Sequence, residues 1–207
     1  MTRNKPIIGV TGNSGSGKGT VCGFLRRMGG FCLDADLLAH EVVERGQPAY
    51  IEISNMFGES VLAPDGSIDR VELGRVVFRD TVKRKALERI VHARVKSQFE
   101  RLSAEAQNDY PFIVWDAPLL VEAGMHKRCV LVLLVTAPFE AKLSRIMSRD
   151  GITEERARLR LSSQPPEIWL YKKLIADIGE INVKIIENTG GAGDLENKTR
   201  AAAAVVR

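Results

Sequence analysis

The sequence predicts an α/β fold, a parallel sheet with helices on both faces, and three observations carry that prediction. Short apolar runs rich in β-branched residues recur at "PIIGVT" (6–11), "FCLD" (31–34), "FIVWD" (112–116), "VLVLLV" (130–135) and "VKII" (183–186). They do not alternate polar with apolar residues, so both faces of each strand should be covered. Long helix-forming stretches separate them, which is the rhythm of a doubly wound parallel sheet. A chain of 207 residues, 44% hydrophobic and 27% charged, is long enough for one core, or for one core carrying a smaller lobe.

The elements follow in order. The first strand leaves the N-terminal "MTRNKP" without a signal-peptide core, and no apolar run approaches the roughly 18 residues of a membrane helix. A soluble, intracellular protein is expected. Immediately after that strand comes "VTGNSGSGKGTV" (10–21), and a helix should open within it. The run 48–108 breaks the strand–helix rhythm, being rich in helix formers with "APDGS" (63–67) as its clear interruption, and it reads as an inserted helical lobe. Residues 138–175 form a second helical region, dense in arginine and divided at "RDG" (149–151) and "SQPPE" (163–167). The alanine-rich C-terminus reads as a helix end. Cys22, Cys32 and Cys129 are far apart and lack C-x-x-C spacing, which argues against a disulfide framework or a zinc site and for a reducing compartment. The net charge of +4 suits an anionic ligand without separating a nucleotide from a nucleic acid.

Residues 12–18, Gly12, Asn13, Ser14, Gly15, Ser16, Gly17 and Lys18, match G-x-x-x-x-G-K between a predicted strand and a predicted helix. Glycines let successive backbone N–H groups turn inward, and the helix that follows adds its positive end, so the segment forms an anion cradle to which Lys18 brings a full charge. The bland alternative is an ordinary glycine turn with a solvated lysine. Where Ser or Thr usually follows the lysine to ligate Mg²⁺, this chain has Gly19, then Thr20. Gly15, Ser16, Gly17, Lys18, Gly19 and Thr20 are the expected phosphate contacts.

"FCLDADLLAHEV" (31–42) ends a strand with Asp34 and Asp36 where a helix should begin. Carboxylates at strand ends of a parallel sheet lie on its ligand side. One can take a proton from an attacking hydroxyl while another orients Mg²⁺, the minimum for in-line phosphoryl transfer. Helix capping is the competing explanation, and it accounts for one aspartate, not both. His40, four residues beyond Asp36, could share its face or be a plain surface histidine.

"GVTGNSGSGKGTV", "LDADLLAHEVV", "GQPAY", "FGESVLAPDGSIDRVELGRVVF", "LERIVH", "PLLVEAG" and "RDGITEERARLRLSSQ" together resemble the dephospho-coenzyme A kinase family over residues 6–165. The resemblance implies a single P-loop kinase domain over 1–207, with 48–108 as a helical acceptor-binding insertion and 138–165 as an arginine-rich lid. It implies ATP-dependent phosphorylation of the ribose 3′-hydroxyl of dephospho-CoA, with ATP as co-substrate and Mg²⁺. Asp36 would be the general base, Asp34 its support, and Arg149 of the lid the charge that neutralises the transferring phosphoryl group beside Lys18. His92, Pro118, Leu119, Leu120 and Glu122 would shape the acceptor pocket. Asp116 would act as a Walker-B aspartate and, with Thr20, hold Mg²⁺; Asn188 would lie near the adenine. The implied partners are small molecules, neither nucleic acid nor membrane, bound by a cytoplasmic monomer or small homo-oligomer.

The chain departs from the family pattern in three places: "GKGT" stands for "GKST", "HARV" for His-Pro after His92, and extra residues lie between Asp177 and Asn188, near 178–183. Two rival functions stay in view. "GKGT" also suits a nucleoside monophosphate kinase, which "DADLLAHEV" and "PLLVE" disfavour. A nucleotide-switched binding module would need an N-K-x-D stretch, which "ENTGG" and "ENKTR" do not supply.

Overall fold

The computed structural model of the chain describes residues 5–206. The N-terminal reading therefore lies partly outside the described residues, which begin at Lys5. The chain forms two compact units, one of residues up to Leu33 together with those from Ser103 onward, the other Asp34–Leu102.

The first unit is built on five strands, β1 (Ile7–Thr11), β2 (Phe31–Asp34), β3 (Ile113–Asp116), β4 (Leu131–Thr136) and β5 (Val183–Glu187), in the order β2-β3-β1-β4-β5. Each falls on an apolar run named above, with ends shifted by a residue at most. β1 pairs in parallel with β3 and with β4, and β4 with β5. The register sets Val10 opposite Asp116 on one side and Leu133 on the other. Because the chain leaves β1 toward β2 and later crosses to β4, the carboxyl end of β1 is where the connections diverge, the place where open α/β sheets bind ligands.

Leu131, Val132, Leu133, Leu134 and Val135 are all at most 1% exposed, as a strand covered on both faces must be. Leu131, Leu133 and Val135 join Ile8, Val10 and Val114 under α1 (Lys18–Arg27), through Val21, Phe24 and Leu25. The C-terminal helix, whose Leu195 and Ala203 enter the same cluster, covers this face too. Val132 and Leu134 turn to the opposite face, where the helix Glu167–Ile178 lies against β4 and β5. Trp115 is buried on β3, and its indole N–H donates to Ser103 Oγ (3.0 Å), so the one polar atom of a large core side chain is satisfied.

The second unit is helical. It comprises α2 (Ala35–Glu41), α3 (Pro48–Phe57), α4 (Arg70–Phe78) and most of α5 (Thr81–Ala106). Its helix starts are written in local chemistry. Asp34 caps α2 by accepting from the N–H groups of Asp36 and Leu37, Asp69 caps α4 through Val71 and Glu72, Asp80 receives the N–H groups of Val82 and Lys83 at the start of α5, and Pro48 opens α3. "APDGS" is the tight turn foreseen, closed by a bridge between Leu62 and Ile68.

Returning to the first unit, the arginine-rich region contains α6 (Phe139–Asp150) and α7 (Glu154–Ser162), split by Gly151 in the left-handed conformation. α8 (Glu167–Ile178) follows the "SQPPE" turn, and α9 (Ala192–Ala203) ends the chain, tightening into a single 3₁₀ turn at Ala204–Val206. The extra residues near 178–183 form one 3₁₀ turn, Glu180–Asn182, between α8 and β5, neither an open loop nor a longer helix. No described helix is long and apolar enough to cross a membrane.

Candidate active site

The glycine segment joins the end of β1 to the first turn of α1. Gly12 (φ 143°) passes so close to β4 that a Cβ would stand 2.2 Å from the Val135 carbonyl oxygen. Gly17 (φ 104°) caps α1 without a side chain, and a Cβ there would stand 2.3 Å from Asn188 Nδ2. Both positions require glycine for conformation and for space. With no capping side chain and no acidic residue in the first turn of α1, the helix's positive end has no charge of its own to offset it and suits an external anion.

The loop's carbonyls are held from outside. Asn188, itself buried, donates from Nδ2 to Ser16 O (2.8 Å), and Arg145 donates from Nη1 to Gly15 O (3.0 Å). The "SQPPE" segment braces the other flank: Gln164 accepts from Ser14 N (2.9 Å) and donates to Ser14 Oγ (3.2 Å), and Asn13 donates to the Pro165 carbonyl (3.2 Å). Lys18 folds back over the loop and donates to the Gly12 carbonyl at 2.8 Å. Ser16 Oγ is buried and has no hydrogen-bond partner, an orphan at the centre of the cradle. A loop whose carbonyls are held from outside, set at the positive end of a helix and carrying an orphaned buried hydroxyl, fits a nucleotide's phosphates.

Asp116 closes β3 one strand away, and accepts a hydrogen bond from the Cys22 thiol of α1. Burial first, and then this carboxylate, push the Cys22 thiol far up. Thr20 is exposed in the first turn of α1, and a Cβ at Gly19 would meet nothing within 4 Å, so sterics do not impose the glycine that departs from the usual pattern. No cluster of three or more His, Cys, Asp or Glu able to hold a metal occurs among the described residues. That suits Mg²⁺, which is commonly held by one or two protein oxygens together with substrate phosphates.

On α6, Arg149 is exposed and makes two hydrogen bonds to Asp150 (2.7 and 2.9 Å), which also binds Arg160. These guanidiniums, Arg149 first, hold the Asp150 carboxyl down at about 2. In this structure Arg145, one turn earlier, is the arginine that touches the glycine loop.

In the segment 118–122, Pro118 O accepts from Thr11 Oγ1 (3.2 Å), tying it to the end of β1. Leu120 is buried, whereas Leu119 and Glu122 are exposed. Behind it, the buried His126 donates from Nε2 to Asp177 (2.7 Å), and its Nδ1 lies 3.4 Å from the Leu120 carbonyl. Bonds from His126 and then Lys173 hold the Asp177 carboxyl below the usual range.

The helical unit carries the acidic pair. Asp34 spends its side chain as the cap of α2. Asp36, in the first turn, is exposed, and its carboxylate makes no hydrogen bond among the described residues. The two aspartates are thus inequivalent: one builds the helix, the other is displayed by it. His92 is half-buried on α5.

Four contributors escaped the sequence reading as site residues: Arg145, Gln164, His126 and Asp177. Arg145 is one of several arginines in the stretch 138–175, and Gln164 lies in the dividing turn "SQPPE". Their partners are 130 and 150 positions away, so no local pattern marks them.

A glycine loop opening a helix at the carboxyl end of the central strand, with a lysine over its mouth and an aspartate ending the adjacent strand, defines a P-loop phosphotransferase. Comparison with known proteins gives the family. A family model described as dephospho-CoA kinase matches residues 6–182. Dephospho-CoA kinases of Geobacter sulfurreducens and Thermobifida fusca are 39% and 38% identical to it, covering 93% and 91% of this chain and 94% and 90% of their own. Among solved structures, the Thermus thermophilus protein TT1252 is 35% identical with a TM-score of 0.81, covering 99% of this chain and 100% of its own. The dephospho-CoA kinase of Campylobacter jejuni is 26% identical with a TM-score of 0.65, covering 97% and 99%. The chain belongs to the dephospho-CoA kinase family. Membership makes it a kinase that uses ATP to convert dephospho-CoA to coenzyme A, with Mg²⁺ as the accompanying ion.

Proposed function

We propose that this chain transfers the γ-phosphoryl group of ATP to the ribose 3′-hydroxyl of dephospho-CoA, with Asp36 as general base. The observation that carries the reading is the braced glycine loop, which sits at the positive head of α1 and so matches a nucleotide's phosphates. The 3′-oxygen gives its proton to Asp36 and bonds to the γ-phosphorus. The bond from that phosphorus to the β,γ-bridging oxygen breaks, and ADP leaves with the electron pair. Asp36 suits the base because its carboxylate is uncommitted, whereas Asp34 is committed to the helix that presents it. Thr20 and Asp116 would hold Mg²⁺, which would supply positive charge to the ATP phosphates. Lys18 and the amides of residues 15–20 orient the ATP phosphates. Arg149, released from Asp150, supplies charge to the transferring group as the segment 138–165 closes as a lid and excludes water.

The remaining assignments belong to the same reading. The lobe 48–108 binds the acceptor, and His92, Pro118, Leu119, Leu120 and Glu122 shape its pocket. Asn188 combines its grip on Ser16 with a place near the adenine. A cytoplasmic location is supported by three free thiols among the described residues. The kinase acts as a monomer or small homo-oligomer on small molecules, not on nucleic acid. Purified protein should consume ATP only when dephospho-CoA is present, and should leave the new phosphate on the 3′-oxygen. Faster turnover with AMP, CMP or shikimate would overturn the acceptor while sparing the kinase class.

A further inference from the structure

Several arginines of this chain are neutralised by a neighbour: Arg75 by Glu72, Arg84 by Glu88, Arg94 by Glu52, Arg149 and Arg160 by Asp150, Arg158 by Glu154. Arg45 and Arg70 of the helical unit make no close ion pair among the described residues, although the Asp65 carboxylate feels the charge of Arg45. Both line one cavity of about 210 Å³, with His40, Glu44 and Ser67. At ~30 Å³ per water this is room for about seven waters, the scale of a diphosphate.

The side chains in that cavity are arranged, not loose. Arg70 Nη1 lies 3.0 Å from His40 Nε2. A guanidinium can only donate, so Nε2 accepts and the proton of a neutral His40 sits on Nδ1, leaving a further N–H donor. Arg45 is tethered through Nη1 to the Asp65 carbonyl (3.1 Å), and Asp65 is fixed by the backbone N–H and hydroxyl of Ser67 (2.9 and 2.7 Å). The cavity thus offers two forked cations and an imidazole donor, with Glu44 in its lining and the Asp65 carboxylate near Arg45. A second cavity of the same unit, about 120 Å³, also has two arginines, but there Arg94 is bound to Glu52 and Arg101 to Gln98.

We infer that the His40–Arg70 pair, with Arg45, binds the 5′-diphosphate of dephospho-CoA and so sets which ribose hydroxyl reaches Asp36. The inference rests on the function proposed above. His40 is four residues after Asp36 on α2, on the same face and about 6 Å further along the axis. In dephospho-CoA only a few bonds separate the ribose 3′-hydroxyl from the 5′-diphosphate, so a base and a diphosphate anchor one helical turn apart suit the two ends of that unit. Guanidinium forks are the side chains best matched to phosphate oxygens.

Steady-state kinetics of the full chain test this. Arg70→Gln should raise KM for dephospho-CoA by about tenfold to a hundredfold, the loss of charge-assisted hydrogen bonds, with kcat and KM for ATP held within about twofold. Arg70→Lys, which keeps the charge and loses the fork, should fall between. Arg45→Gln, at an exposed side chain, should shift the same parameter in the same direction and guards against a folding defect at Arg70. An unchanged KM for dephospho-CoA, a loss confined to kcat, or a rise in KM for ATP instead would each overturn the anchor. If the unmodified protein failed to couple ATP consumption to dephospho-CoA, the proposed function would fall; if it coupled them and the variants were silent, only the anchor would.

Discussion

The glycine loop and the start of α2 hold the two halves of the proposed chemistry in opposite ways. Asn13, Ser14, Gly15 and Ser16 of the loop are each held from afar: Asn188, Arg145, Gln164 and Pro165 reach them from positions 130 to 172 residues distant. α2 is local by contrast, a seven-residue helix whose start is fixed by Asp34, two positions before the residue it presents. The nucleotide side is therefore pre-organised by tertiary structure and the acceptor side by a cap. Damage to the first should appear as lost ATP affinity, and damage to the second as lost turnover.

That contrast can be broken or sharpened by substitution. Asp36→Asn should lower kcat by about 10²- to 10⁴-fold with ATP affinity nearly unchanged, the usual scale for a general base. An equal fall in ATP affinity, measured by titration, would erase the distinction between the two regions. Gly17→Ala places a Cβ against Asn188 at a positive φ, and should weaken ATP binding about a hundredfold from strain and the broken brace. Asn188→Ala leaves the buried Ser16 carbonyl with only the long 3.5 Å bond from Arg145, and should raise KM for ATP about tenfold with dephospho-CoA binding spared.

The smallest effect concerns the thiols flanking the sheet. Burial pushes Cys32 up to about 11 and Cys129 up to about 12. Both stay protonated in the folded chain where an unfolded chain would ionise them. Their contribution to stability is therefore complete below the ordinary thiol range and is lost as pH climbs through about 11 to 12. At pH 8 a thiol reagent should modify the native protein slowly and the denatured protein fast, as mass spectrometry would show.

The strands and the glycine loop were legible because their signals are local. A doubly covered strand must be an unbroken apolar run, as "VLVLLV" is, and a loop that aims its backbone at a ligand must shed its side chains. The helical lobe was legible as helix but not in its divisions: Asp69 and Asp80 cap α4 and α5, yet within a polar, helix-rich stretch they resemble any surface aspartate. The tension between Asp34 as cap and Asp34 as site residue resolved physically, since one carboxylate took the amides and left the other exposed. The His126–Asp177 pair behind Leu120, the brace of Gln164 and the grip of Arg145 depend on segments brought together only by the sheet order. The grouping of His40, Arg45 and Arg70 around one cavity depends likewise on the fold, since Arg70 lies 30 positions from the His40 it touches.

The decisive measurement is a structure of the chain with a non-hydrolysable ATP analogue and dephospho-CoA bound together. The 3′-oxygen should lie about 3 Å from the Asp36 carboxylate and in line with a γ-phosphate cradled on the amides heading α1. A 3′-oxygen facing Asp34, with Asp36 turned to solvent, or phosphates bound away from the glycine loop, would contradict the account.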